Sequence, residues 1–209
     1  MTTATDAALF TDPAPEERLA AAAAALTGHG FAVEILDDAA AARARVRELI
    51  PEGASVLTAS SETLRLSGID ADLNDSGRYQ AVRPQLLALD RVSDAEEIRW
   101  RRAIPEFVVG SINAVTETGS LVTASGSGSQ LPAYSGGAGH RIWIIGAQKL
   151  VPDLAAALRR IEEHCLPLES ERSMSVYGVP SAISRLLVMN LEPFPGQATV
   201  LLLREAVGF

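Results

Sequence analysis

Three groups able to do chemistry fall between Val109 and Leu158: a carboxylate at a tight bend, a run of hydroxyls and glycines, and the chain's only lysine. Glu117 sits in Glu117-Thr118-Gly119 between two short apolar segments. At such a bend it is either a solvated turn residue or, if partly buried at a cleft, a base or an acyl acceptor. The loop Ser125-Gly126-Ser127-Gly128-Ser129-Gln130 follows. Gly126 and Gly128 allow positive φ, which can turn successive amides inward as an anion-binding nest, and the hydroxyls add donors. A flexible connector has the same composition. Lys149 follows Gly146-Ala147-Gln148, where it could balance a substrate carboxylate or phosphate, or merely precede a helix on the surface.

A second candidate loop is Thr58-Ala59-Ser60-Ser61-Glu62-Thr63. Ser60, Ser61 and Thr63 stand where a strand meets a helix, and free amides at a helix start attract anions; an ordinary serine cap accounts for the same residues. The histidines say less. His29 and His164 stand at helix ends, whereas His140 precedes an apolar strand and is the one histidine placed to reach a cleft. No metal-ligand spacing, phosphate-loop signature or nucleophile elbow occurs, so neither a metal site nor a cofactor is expected. A single cysteine, Cys165, excludes an intramolecular disulfide or a cysteine-held cluster from this chain alone.

Alternating helices and short apolar strands must position these groups. Pro15, Glu16 and Glu17 open a helix that runs through an alanine-rich stretch to Leu26 and stops at Gly28 and Gly30. A strand is expected over Phe31–Leu36, then a helix capped by Asp37 and Asp38, a strand over Ala54–Thr58, and a helix capped by Ser60 or Ser61. Beyond a less legible stretch with a strand at Tyr79–Val82, Asp94 caps a charged helix over Ala95–Ala103, and Phe107–Val109 is a strand. Asn113–Thr116 and Ser120–Thr123 make a hairpin around Glu117, Arg141–Ile145 is a buried strand, and Pro152-Asp153 opens a helix to His164. Four prolines over residues 166–195 predict an irregular excursion with a short helix at Ser181–Val188, before a last strand at Thr199–Arg204. This order predicts a three-layer α/β/α fold around a mostly parallel sheet, with a loose tail at residues 1–12 and a single domain over 13–209.

Composition narrows the function. The chain has 209 residues, is 47% hydrophobic and carries a net charge of −8. That acidity argues against nucleic acid and against an anionic membrane surface as partners. No apolar run approaches the ~20 residues of a membrane span. Residues Met1–Asp12 have neither the basic start nor the apolar segment of a signal peptide, so a cytoplasmic location is expected. Arginine outnumbers lysine seventeen to one, as biased base composition produces, which makes the surviving Lys149 stand out.

The segments Asn113-Ala114-Val115-Thr116-Glu117-Thr118-Gly119, Leu121-Val122, Gly126, Gly128, Gln130 and Ile144-Ile145-Gly146, together with Lys149-Leu150-Val151-Pro152-Asp153-Leu154, resemble the LUD domain, named for lactate utilisation. The resemblance implies the fold shared by glucosamine-phosphate deaminase, ribose-phosphate isomerase and CoA transferases. It also implies a non-redox accessory or ligand-binding component of hydroxy-carboxylate utilisation. Such a protein would hold a small anionic metabolite, carboxylate or phosphate, on Ser60, Ser61, Thr63, the 125–130 loop and Lys149. Oxidation of lactate would then need separate iron–sulfur subunits, and a homo-oligomer stays open. The alternative is an enzyme of the isomerase or CoA transferase type, with Glu117 as base or acyl acceptor; shared fold alone does not transfer that activity.

Overall fold

In the central strand β7 (His140–Gly146), successive side chains point to opposite faces and both faces are apolar. Ile142 and Ile144 enter one core, while Trp143 and Ile145 enter the other. The computed structural model describes residues 10–209. Its main sheet has six strands in the order β1-β10-β7-β4-β2-β3, and every pairing is parallel. The others are β1 (Ala32–Leu36), β2 (Ser55–Thr58), β3 (Gln80–Ala81), β4 (Phe107–Gly110) and β10 (Ala198–Leu203).

Helices cover both faces, so the fold is a three-layer α/β/α arrangement. On one face lie α1 (Glu16–Gly28), α5 (Val82–Leu87) and α6 (Ala95–Ala103), which contribute Leu19, Leu26, Leu86 and Ile98 around Trp143. Trp143 is fully buried, with the rings of Phe31 and Tyr134 set edge-on at 6.3 and 5.6 Å. On the other face lie α2 (Ala39–Leu49), α3 (Glu62–Ser67) and α4 (Ile69–Asn74), with Val46, Leu64 and Leu73 against Ile142, Ile144 and Leu201. Asp38 accepts a hydrogen bond from the Ala41 amide and starts α2; Ser61 does the same for α3 with Leu64.

A smaller sheet, in the order β8-β5-β6-β9, grows from the carboxyl ends of β4 and β7. Strands β5 (Ala114–Thr116) and β6 (Leu121–Ser125) form the expected hairpin, and β8 (Leu150–Val151) runs parallel to β5. Behind this sheet, α7 (Leu154–Arg160), capped by Asp153, passes through a π-helical turn at Ile161–Cys165 into α8 (Leu166–Tyr177). Phe10, expected in the loose tail, is buried here with Ala157 and Ile161, whereas residues 1–9 lie outside the described residues.

Two expectations for residues 166–195 are corrected. The helix does not end at His164, because Pro167 falls in the first turn of α8, where a missing amide hydrogen costs nothing. Ser181–Val188 is not a helix either: β9 (Arg185–Met189) pairs antiparallel with β6, so its apolar residues serve the small sheet. Asp94 is a third correction, since its side chain turns back to the Asp90 amide instead of capping α6.

The two tryptophans should therefore respond oppositely to truncation. Trp143→Ala should cost about 3–5 kcal/mol, and Trp100→Ala, at a site 60% exposed, within about 0.5 kcal/mol. Denaturant midpoints of the two variants check this.

Candidate functional site

The carboxyl ends of β2, β4 and β7 open onto a cleft of about 1130 Å³. Parallel sheets place ligand sites at this end, where the strands deliver loops side by side. Here β2 delivers Ala59-Ser60-Ser61, β4 delivers Ser111-Ile112-Asn113, and β7 leads through the short turn Ala147–Lys149. The 125–130 loop after β6 and the start of α8 line one part of the cleft; α5 and α6 form its lip.

Lys149 is the floor of this cleft and is only 1% exposed. Its Nζ donates to Thr63 Oγ1 at 2.8 Å, to Ser111 Oγ at 3.1 Å and to the main-chain oxygen of Phe209 at 2.9 Å. Thr63 in turn donates to the Val207 carbonyl. Gln148 donates to the carbonyls of Val207 and Gly208, so the segment 207–209 is strapped across the floor. Gly208 has φ of +67°, and a Cβ there would lie 2.3 Å from Thr63 Oγ1. Only glycine fits.

The floor is built of basic groups taken out of water. Burial, and then the charge of Arg160, push Lys149 from 10.5 down to about 7, with the Cys165 thiol opposing. Arg160, itself buried, donates to the Asn113 carbonyl at 2.6 Å and to Cys165 Sγ at 2.8 Å. His164 is lowered to about 4 by burial and then by the same two cations, and so stays neutral.

Of the residues singled out from sequence, the structure brings Ser60, Ser61, Ser125, Gly126, Ser127, Gln130 and Lys149 to one cleft. Thr63 stands behind them as a partner of Lys149. The 125–130 loop is not the inward-facing nest its glycines suggest. Gly128 has φ of +76°, but Gly126 is not in the positive region. The Gly128 amide donates to Ser125 Oγ, whose hydroxyl donates to Gln130 Oε1 at 3.0 Å, so the loop is closed on itself.

Glu117 is not brought to the cleft. Its side chain accepts from Arg18 Nε of α1, while its amide bonds the Val151 carbonyl. His140 also lies elsewhere, because it stacks on Phe107 at 4.8 Å at the amino end of β7, the opposite end of the sheet. Sequence reasoning missed Ser111, Tyr134 and four arginines on the lip, Arg83, Arg91, Arg99 and Arg102. The only local sign of them was the excess of arginine over lysine in the charged stretch around α6.

A family model described as the LUD domain matches residues 19–203. No curated protein matches the sequence. Among solved structures, the chain is similar to a DUF162 family protein from Deinococcus radiodurans. The two share 13% identity with a TM-score of 0.55, over 90% of this chain and 96% of that one, a likeness that bears on the fold alone.

The floor makes stability depend on pH. Between pH 7 and 10.5 the unfolded chain keeps a proton on Lys149 that the folded chain has lost, so this group favours folding increasingly as pH rises through that window. The stability of the wild type relative to Lys149→Met should therefore increase from pH 7 to pH 9 in denaturant titrations. A difference that is flat with pH would show that Lys149 titrates normally. Gly208→Ala should destabilise by about 1 kcal/mol or more, measured the same way at one pH.

Proposed function

The chain belongs to the LUD domain family, and from that premise we propose that it is a non-redox, ligand-binding component of lactate or hydroxy-carboxylate utilisation, holding a small anionic metabolite in the cleft at the carboxyl ends of β2, β4 and β7. The observation that carries this reading is the basic floor. Lys149 and Arg160 lie in a low-dielectric site, and the two carboxylates that line the cleft, Glu62 and Glu169, are each held by a neighbouring arginine, Arg65 and Arg172. An anion entering the cleft meets the charge of Arg160 behind the floor and draws Lys149, lowered to about 7, toward its protonated form, an attraction that water-poor surroundings strengthen.

Lys149 acts in this reading through its field and through the loops it organises, since its hydrogen-bonding positions are already taken by Thr63, Ser111 and Phe209. A ligand oxygen competes for the place of Ser111, the longest of the three contacts. The hydroxyls of Ser60, Ser61 and Ser127 then supply the remaining donors at the cleft wall. Electron transfer belongs to a separate iron–sulfur subunit, as the lone cysteine, Cys165, is buried and bonded to Arg160. The alternative of an enzyme using Glu117 draws no support from that residue's place beside Arg18.

A thermal-shift series with lactate, pyruvate and small sugar phosphates tests this. A ligand at 100 times its dissociation constant stabilises the folded state by about 2.7 kcal/mol. Lys149→Met, shown to be folded by circular dichroism, should weaken the best ligand by about 1.5–3 kcal/mol, whereas Glu117→Gln should leave affinity unchanged. A ligand that binds Lys149→Met as well as wild type would remove the floor from the site.

A further inference from the structure

The lip of the cleft carries charge that the floor reading does not use. Arg83 on α5, Arg91 in the connection, and Arg99 and Arg102 on α6 all line the cleft. No side-chain hydrogen bond or ion pair engages any of the four among the described residues. Three of the neighbouring carboxylates are occupied elsewhere, and Glu96, exposed at the start of α6, pairs with none of the four arginines among the described residues. Asp90 accepts from the amides of Val92 and Ser93, Asp94 accepts from the Asp90 amide, and Glu97 pairs with Arg101.

The arginines are close enough to repel one another. Burial, and then the charges of Arg91 and Arg83, hold Arg102 below the usual arginine value. In a chain of net charge −8, most arginines are expected to find carboxylates, and many here do so. A cluster left without counter-charge at the mouth of a cleft is the electrostatic complement of a ligand with more than one negative charge. Guanidinium groups suit phosphate oxygens in particular, because their planar fork of donors matches them.

Beside the arginines the wall is apolar and solvent-facing. Leu87 is 68% exposed, Val179 57% and Tyr177 56%, and all three line the cleft. A cleft of about 1130 Å³ has room for an extended ligand of many atoms, well beyond what a small acid at the floor would occupy.

We propose that the α5–α6 lip is a diphosphate subsite, which with the apolar wall takes an organic diphosphate whose body lies along Leu87, Tyr177 and Val179. This deepens the anion-binding reading of the same cleft and rests on it only for the location. Arg83 and Arg102, both half-buried, are the central ligands; Arg91 and Arg99, both exposed, complete the cluster from the rim.

Calorimetric titration with inorganic pyrophosphate, ADP, geranyl diphosphate and adenosine tests the proposal. Pyrophosphate should bind, and Arg83→Met and Arg102→Met should each weaken it about tenfold, the loss of one charged hydrogen bond. Both residues sit on the lip with their stems along the surface, so the methionine variants keep the packing. At least one of ADP and geranyl diphosphate should bind more tightly than pyrophosphate, and which one does so separates a nucleoside body from an isoprenoid body. Adenosine should not bind.

No binding by any diphosphate, or equal affinity in the arginine variants, overturns the proposal. Two organic diphosphates no tighter than pyrophosphate overturn the role of the apolar wall. The two readings of the cleft fail separately. Carboxylate binding that depends on Lys149 without any pyrophosphate binding sinks only the lip, while the converse sinks only the floor.

Discussion

The buried amine of Lys149 ties together parts of the chain that are far apart in sequence. Its contacts reach the start of α3 through Thr63, the end of β4 through Ser111 and the last described residue through Phe209. These elements are a covering helix, a strand from the centre of the sheet and the segment strapped beneath them. Without a common partner their polar ends would compete for water at the floor of the cleft. Burying a nitrogen that is cationic in water is costly, and only a full set of partners offsets it. Gln148, adjacent in sequence, secures the same terminal segment from its other side. The floor is thus a polar knot inside an otherwise apolar fold, and the shape of the cleft follows from it.

The small sheet follows from the same geometry. β4 and β7 are neighbours in the main sheet, and each runs on after a short connection into β5 and β8, which are again neighbours and again parallel. The cleft lies where the two sheets part. Arg160 fixes that junction from behind, since it reaches the Asn113 carbonyl at the start of β5 and the Phe10 carbonyl while contacting Cys165 in the π-helical turn. Inserting a residue there keeps α7 and α8 nearly continuous while rotating their faces, and π-helical turns recur at functional sites for this reason.

Where local chemistry decides, the sequence was legible. Apolar runs became strands, Asp38, Ser61 and Asp153 became caps, and the Glu117 bend became a hairpin. Where tertiary partners decide, it was not. Pro167 signalled a break but sits in a helix start, and Arg185–Met189 took the strand state because β6 offered an unpaired edge. Lys149, Ser60, Ser61 and the 125–130 loop were found because each lies at a strand end, a position that periodicity reveals. The lip arginines were not, since isolated arginines in amphipathic helices read as solvated surface until folding sets them side by side. Glu117 shows the reverse: a residue suited to catalysis by type and turn is placed by the hairpin against Arg18, outside the cleft.

The strand order also bears on how such a chain is made. β10 lies between β1 and β7, with Ala32 paired to Thr199 on one side and Arg141 beside Ala198 on the other. During synthesis on the ribosome, β1 therefore emerges without its neighbour, and the middle of the sheet stays open until the last strand arrives. Contacts of such long sequence separation form slowly, and the waiting strands present bare apolar edges to solvent. The nascent chain should depend on chaperone protection for most of its translation, and a pause or truncation ahead of β10 should leave it prone to aggregate rather than partly functional.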